Sequence, residues 1–153
     1  METAQPQPEQ QLYDLADKTR QYMQTQRPAK VPEQVNTLML ADFFTYNLTQ
    51  GGFSQLLFNS GGQYLSEMED MLLASHARAT HDFYIQAIQL CTSDIPRFHA
   101  FLESDFVSEN ELKNQLHLIS LGYFKCGISF VEEAKEYLTE TMRSVDTWLC
   151  HNS

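Results

Sequence analysis

The sequence predicts an all-α fold, a single-domain bundle of six to eight helices, and three observations predict it. Apolar residues recur with the 3.6-residue helical period along most of the chain. No segment shows the sustained alternation and the hairpin turns of β-strands. Glycine, proline and capping residues divide the periodic stretches into helices. The chain of 153 residues has the usual size of one domain. We therefore expect one helical domain over residues 12–153, after a flexible N-terminal tail over residues 1–11.

The first half of the chain predicts three helices. Residues 12–23 carry the period of a first helix, which the prolines of the QRPAKVP stretch should end. A second helix is expected over residues 33–48, whose apolar side chains form one broad face. Gly51 and Gly52 should end this helix, because a residue with positive φ is the usual way to leave one. A short third helix then covers residues 53–58, before a second glycine pair.

The second half predicts five further helices, again separated by turn residues. Their expected ranges are 64–75, 77–91, 98–102, 112–123 and 130–149. Ser93 or Asp94 can act as the N-cap of the third of these, with Pro96 in its first turn. Ser108 stands three residues before Glu111, which is the spacing of a capping box for the fourth.

The charge of the chain restricts its partners. Twenty Asp and Glu residues against ten Lys and Arg give a formal net charge of -10, and the whole excess lies after residue 30. Such a body repels phosphate backbones and anionic membrane surfaces, and it attracts basic patches on other proteins. We therefore expect a basic protein as partner, with no direct binding of nucleic acid or membrane.

The cysteines and the N-terminus indicate the compartment. Three cysteines at wide spacing suggest no disulfide framework, and the first residues show neither a basic region nor an apolar one of the secretory type. We expect a cytoplasmic protein in a reducing environment.

Catalytic motifs are weak. His76 and His81 are five residues apart, which on one helix would turn their side chains away from each other and disfavours a zinc-protease pair. His117 reads as a residue at the edge of the core. No C-x-x-C or G-x-S-x-G motif occurs. We expect no catalytic residue, no metal ligand and no cofactor. A metal-dependent hydrolase built from helical carboxylates with His81 or His117 stays open as a third hypothesis, which metal analysis would test.

The glycine pairs around residues 51–62 could cradle a phosphate at a helix N-terminus or mark turns only. No Lys or Arg lies from Gly51 to Leu73, so an anion would find no counter-charge and the turn interpretation is favoured. Gln55 and Asn59 are four residues apart among large apolar side chains. Because buried amides must be hydrogen-bonded, we expect the two to pin open backbone groups at neighbouring helix ends.

The same stretch resembles the core motif of a family of bacterial all-helical proteins that includes a DNA mimic. The matching residues are Gly51, Gly52, Phe53, Gln55, Asn59, Ser60 and Gly62. The likeness extends over about residues 35–91. The resemblance implies a protein, often dimeric, that displays carboxylates where DNA displays phosphates. Such a protein occupies the DNA-binding surface of a transcription factor or another DNA-binding protein.

Surface carboxylates are the candidate partner-binding residues. They are Glu67, Glu69, Asp70, Glu103, Asp105, Glu109, Glu111, Glu132, Glu133, Glu136 and Glu140. Glu132, Glu136 and Glu140 repeat every four residues, which spaces carboxylates by about 6 Å along a helix. The leading hypothesis is therefore a non-enzymatic DNA mimic. The alternatives are an immunity protein that neutralises a cationic toxin, and a charge that serves solubility alone.

Overall fold

The computed structural model of the protein describes residues 7–152, which form eight α-helices and no strand, as the sequence predicts. The helices are α1 (Pro8–Gln26), α2 (Glu33–Ser60), α3 (Leu65–Ala74), α4 (Arg78–Thr92), α5 (Ile95–Leu102), α6 (Glu111–Lys125), α7 (Phe130–Glu133) and α8 (Lys135–Asn152). Within this range, none of the helices combines the length and the apolar character needed to cross a bilayer.

Helix α2 forms the centre of the bundle. It packs against α1, α6 and α8, while α4 packs against α3 and α6. The buried ring of Phe44 lies between Tyr84 and Phe130, with ring centroids 6.1 and 5.0 Å away. Phe53 meets Tyr123 edge-on at 5.7 Å. These aromatic contacts pack α4, α6 and α7 around α2.

Both ends of the chain differ from the sequence prediction. Helix α1 begins at Pro8, so residues 8–11, which we expected in the flexible tail, are helical. Proline is well tolerated there, because the first N–H groups of a helix have no partner within it. The expectation for residues 1–6 lies outside the described residues. The single helix predicted over 130–149 is divided at Ala134 into the one-turn helix α7 and the longer α8.

The first glycine pair separates two helical segments, as predicted, and α2 joins the two through a kink. Helix α2 continues to Ser60, and only Gly52 leaves the helical conformation, with φ 72° and ψ -163°. The N–H of Phe53 donates to Ser120 Oγ at 2.9 Å, and that hydroxyl donates to the carbonyl of Leu116 at 3.0 Å. A Cβ on Gly52 would lie 2.5 Å from Ser120 Oγ. Glycine is required here because of both the positive φ and this close approach.

The predicted helix caps are confirmed in one case and wrong in the other. Asp94 caps α5, since its carboxylate accepts the N–H of Arg97 at 3.2 Å. Helix α6 is capped by Asn110, whose side chain accepts from Lys113 N–H at 3.1 Å. The expected cap, Ser108, instead donates both its N–H and its hydroxyl to the Asp105 carboxylate at 2.8 Å. A short polar residue next to the helix therefore displaces the predicted capping box.

Candidate acidic interaction surface

The eleven predicted carboxylates lie in three regions. Glu67, Glu69 and Asp70 are on α3; Glu103, Asp105, Glu109 and Glu111 lie in and beside the connection from α5 to α6; Glu132, Glu133, Glu136 and Glu140 are on α7 and α8. The predicted carboxylates therefore do not share one face of the protein, and the side chains around each region differ.

Glu132, Glu136 and Glu140 form what we call the acidic row. All three side chains are exposed, and all three line one groove, where the end of α3 faces α7 and α8. Glu140 also lines the adjoining groove, together with Glu33 from the start of α2. The row is therefore continuous across two grooves and gains a fourth carboxylate, Glu33, which the sequence analysis did not select.

Helix α3 reaches the first groove at its C-terminal end. Glu67, Asp70 and Ala74 have spacings of three and four residues, which places them on one face of the helix. Glu67 and Asp70 are exposed, and Ala74 lines the groove that contains the acidic row. Helix α3 therefore reaches the groove through Ala74, whereas Glu67 and Asp70 are not among the residues that line it.

The acidic row has little counter-charge. Within residues 7–152, its one ion pair joins Arg143 to Glu140 at 3.1 Å, and both side chains are mostly exposed. Exposed pairs of this kind contribute between zero and about 1 kcal/mol and are screened by salt. Lys135 lines the same groove but forms no ion pair with the row within 4.0 Å. The row therefore presents largely uncompensated negative charge.

Glu133 has a different position, although it is next to Glu132 in the chain. Its Oε2 accepts the N–H of Ala79 at 2.9 Å, and its Oε1 accepts the N–H of Thr80 at 2.9 Å and the hydroxyl of Thr80 at 2.6 Å. These donors lie at the N-terminus of α4, where the helix dipole favours a carboxylate. The Thr80 hydroxyl also lies 2.9 Å from the phenol oxygen of Tyr123.

The contacts of Glu133 therefore do not support its predicted role in partner binding. Both of its carboxylate oxygens are used to hold α4 against α7. The sequence gives one sign of this role at the start of α4. Ala77 occupies the N-cap position, and alanine has no side-chain acceptor for the first N–H groups of the helix. Open N–H groups at a helix end require a partner, but the sequence does not say which residue supplies it.

The two histidines of the sequence analysis line one groove. His76 lies outside a helix with a φ of 60°, and this turn brings it to the same groove as His81. His81 Nε2 is 3.3 Å from a carboxylate oxygen of Glu69. Within the described chain, no group of three or more His, Cys, Asp or Glu side chains is arranged to hold a metal ion. The hydrolase hypothesis thus gains no ligand set from these residues.

The third acidic region lies at the opposite end of α6 from the acidic row. Arg97 Nη2 donates to Gln115 Oε1 at 2.6 Å and so ties α5 to the beginning of α6. Tyr123 lies near the end of α6. Its phenol oxygen is 2.9 Å from the Thr80 hydroxyl, which donates a hydrogen bond to Glu133. At about 1.5 Å per residue, the twelve residues from Glu111 to Tyr123 span about 18 Å. The carboxylates around the α5–α6 connection therefore form a separate surface.

The comparison with known protein families agrees with the resemblance seen in the sequence. The family model described as DMP19-like protein matches residues 29–144, which is well over half of the chain. The chain belongs to the DMP19-like protein family. DMP19 is a family of DNA-mimic proteins and is not known as an enzyme family. No curated protein and no solved structure matches the chain significantly.

The family match extends beyond the 35–91 region of the original resemblance. In this DMP19-like chain it includes α7, most of α8 and hence the whole acidic row. It also includes the groove residue Ala74 and the α5–α6 connection. The surfaces that carry the negative charge therefore belong to the family-like part of the chain.

The residues that carried the resemblance hold the α2 kink of the DMP19-like chain. Gln55 Nε2 and Asn59 Nδ2 both donate to Asn47 Oδ1, at 3.2 and 2.6 Å, and Asn47 Nδ2 donates to the carbonyl of Phe43 at 2.9 Å. We expected the two amides to bond open backbone groups at helix ends, and this prediction is wrong. The sequence analysis missed Asn47, a buried side chain eight and twelve residues before the two amides. These amides join the two arms of α2 across Gly52.

One further surface of the DMP19-like chain is apolar. Leu118, Leu121 and Phe124 are spaced by three residues on α6, and their side chains are 69%, 54% and 47% exposed. Ile128, just after the helix, is also exposed. Contiguous exposed apolar side chains mark interaction surfaces more often than isolated ones do.

Proposed function

We propose that this DMP19-like protein is a non-enzymatic DNA mimic, whose acidic row occupies the DNA-binding surface of a basic DNA-binding protein such as a transcription factor. The observation that supports the proposal most is the largely uncompensated charge of the row, which lies across two adjoining grooves. The family match supports the same function.

The spacing of the row suits such a partner. Successive carboxylates at four-residue spacing are about 6 Å apart, while phosphates follow each other at about 3.4 Å of helix axis on one DNA strand. The row therefore offers about one charge for every two phosphates of a strand. Long Lys and Arg side chains can adapt to this difference.

The test compares two variants with the same change in net charge. Glu132→Gln, Glu136→Gln and Glu140→Gln together neutralise the acidic row, and Glu103→Gln, Glu109→Gln and Glu111→Gln together neutralise the separate region. Each tagged protein is used to capture partners at low salt, with and without competing duplex DNA. We expect wild type and the second variant to capture a DNA-binding protein that duplex DNA displaces, and the first variant to lose it.

Two outcomes would contradict this proposal. Equal loss of binding in both variants would mean that net charge alone acts and that the row has no special role. Capture of a partner that duplex DNA does not displace would favour the immunity function, in which the acidic surface covers a cationic toxin.

We also propose a homodimer, which the resemblance implies, with the apolar face of α6 as its interface. Support comes from the exposure of Leu118, Leu121 and Phe124, which a second copy would cover. Light scattering after size exclusion should give twice the monomer mass for wild type and the monomer mass for Leu121→Glu. A monomeric wild-type protein at micromolar concentration would refute the dimer without affecting the DNA-mimic proposal.

A further inference from the structure

His76 lies where two grooves of the protein meet. It lines the groove of the acidic row, and it also lines the groove between α3 and α4 that contains His81. Of the five histidines of the chain, it is the one that lines the groove of the acidic row. The titratable residues that line the two grooves with it are Glu132, Glu133, Lys135, Glu136, Tyr137 and Glu140 from α7 and α8, and Arg78, His81 and Asp82 from α4.

The backbone fixes the position of His76 at the end of α3. The N–H of Ala77 donates to the carbonyl of Leu72 at 3.0 Å, and the N–H of His76 donates to the carbonyl of Leu73 at 3.2 Å, which is the pattern of a Schellman motif. The carbonyl of His76 accepts the N–H of Arg78 at 2.9 Å. With its φ of 60°, His76 occupies the position that glycine or asparagine usually takes. The backbone therefore does not explain why an imidazole is present here.

The side chain of His76 has no partner among residues 7–152. It is exposed and forms neither a hydrogen bond nor an ion pair there, whereas His81 Nε2 lies 3.3 Å from Glu69 and His81 Nδ1 lies 4.0 Å from Asp82. A proton on His81 thus meets carboxylates of its own surroundings. A proton on His76 adds an unpaired positive charge to the groove of the acidic row.

This positive charge opposes the binding of a basic protein. Histidine is the side chain that ordinarily changes its charge between about pH 5 and about pH 8, while glutamate and lysine ordinarily titrate outside this range. A neutral imidazole leaves the charge of the row unchanged, whereas an imidazolium repels the Lys and Arg side chains of a partner. We propose that His76 makes the binding of a basic partner to the acidic row pH-dependent, with weaker binding when the imidazole is protonated. This regulation rests on the proposed DNA-mimic function.

The test measures the affinity of the full chain for an N-acetylated polylysine peptide at low salt, at about pH 8 and at about pH 5.5. The peptide keeps its charge, because lysine ordinarily titrates near about pH 10.4. His76→Asn removes the titrating group and keeps a residue that tolerates positive φ. His76→Lys keeps a positive charge at both pH values. His99→Asn is the matched control, because His99 is exposed on α5, beside the separate acidic region.

The expected results follow from the addition of one exposed charge, which changes affinity by up to about fivefold at low salt. Wild type should bind polylysine more tightly at about pH 8 than at about pH 5.5. This ratio of affinities should be about two- to fivefold smaller in His76→Asn and unchanged in His99→Asn. His76→Lys should bind about two- to fivefold more weakly than wild type at the higher pH, with the same small ratio as His76→Asn.

Two results would overturn the role of His76. The first is a ratio in His76→Asn equal to that of wild type, and the second is wild-type affinity of His76→Lys at the higher pH. The variant with Glu132→Gln, Glu136→Gln and Glu140→Gln separates this failure from that of the proposed function. If this variant binds polylysine as tightly as wild type, the acidic row is not the binding surface and both proposals fail. If it loses binding while the ratio of His76→Asn stays at the wild-type value, the role of His76 alone fails.

Discussion

Replacing Glu133 by alanine should destabilise the protein without removing the acidic row. The wild-type carboxylate accepts two backbone N–H groups and one hydroxyl at the start of α4, and Ala77 at the N-cap position offers no substitute. Loss of a helix cap costs about 0.5–2 kcal/mol, and hydrogen bonds to a charged group are worth about 1.5–3 kcal/mol each when water cannot replace them. Because Glu133 is only half-buried, water replaces part of this, and we expect a loss of about 2–3 kcal/mol.

The measurements are urea unfolding and thermal unfolding of Glu133→Ala and of the matched control Glu132→Ala. The two variants lose the same charge from the same short helix, but the Glu132 carboxylate is exposed and accepts no hydrogen bond among the described residues. For a domain of this size, the expected loss corresponds to a fall in Tm of about 5–10 °C, and the control should stay within about 2 °C of wild type. Glu133→Gln, which keeps one acceptor oxygen, should be intermediate. Equal stability of the two alanine variants would refute the role of Glu133 as the cap of α4.

Three further predictions concern the core. Gly52→Ala should cost about 2 kcal/mol or more, measured by urea unfolding, because the new Cβ meets both a positive φ and a neighbouring side chain. Burial raises the pKa of the Tyr123 phenol to about 12; the unfolded chain therefore loses this proton first, and the free energy of unfolding should fall as the pH rises from about 10 to about 12. Tyr123→Phe should make this fall less steep. Burial also raises the pKa of the Cys91 thiol to about 12, so a thiol reagent at neutral pH should label the exposed Cys126 and Cys150 quickly and Cys91 only on unfolding.

Local chemistry made much of the fold predictable. The sequence analysis located the boundaries of α2 by the prolines of the QRPAKVP stretch and by the second glycine pair, and the structure places Pro32 and Gly61 at these boundaries. Asp94 was one of two candidate caps for α5, and the structure selects it. Helical periodicity placed α1, α3, α4 and α6 within a few residues, because each of them buries one apolar face against the same core, but it did not show the break at Ala134 between α7 and α8.

The remaining features depend on residues that are far apart in the chain. The positive φ of Gly52 was predicted, but its close approach to Ser120 on α6, whose hydroxyl accepts the N–H of Phe53, was not. In the same way, Glu133 looks like its exposed neighbours until α4 is placed beside it. The candidate interface shows the same limit, since spacing along the chain identified the row but not its meeting with α3 at one groove. Residue type and spacing describe one element at a time, whereas a site is formed by elements that pack together.

Two physical explanations for the negative charge of the acidic row are the helix dipole and the proposed basic partner. The three carboxylates differ in how far the helix dipole explains them. Glu132 and Glu136 lie in the first turns of α7 and α8, where the helix dipole stabilises a negative charge by about 0.3–1 kcal/mol. Their presence therefore has an explanation that needs no partner. Glu140 lies beyond the first turn of α8, and its ion pair with the exposed Arg143 adds little to stability. A carboxylate there, beside Glu136 one turn away, costs a few tenths of a kcal/mol through like-charge repulsion. Of the three, Glu140 is the residue whose charge these local interactions explain least.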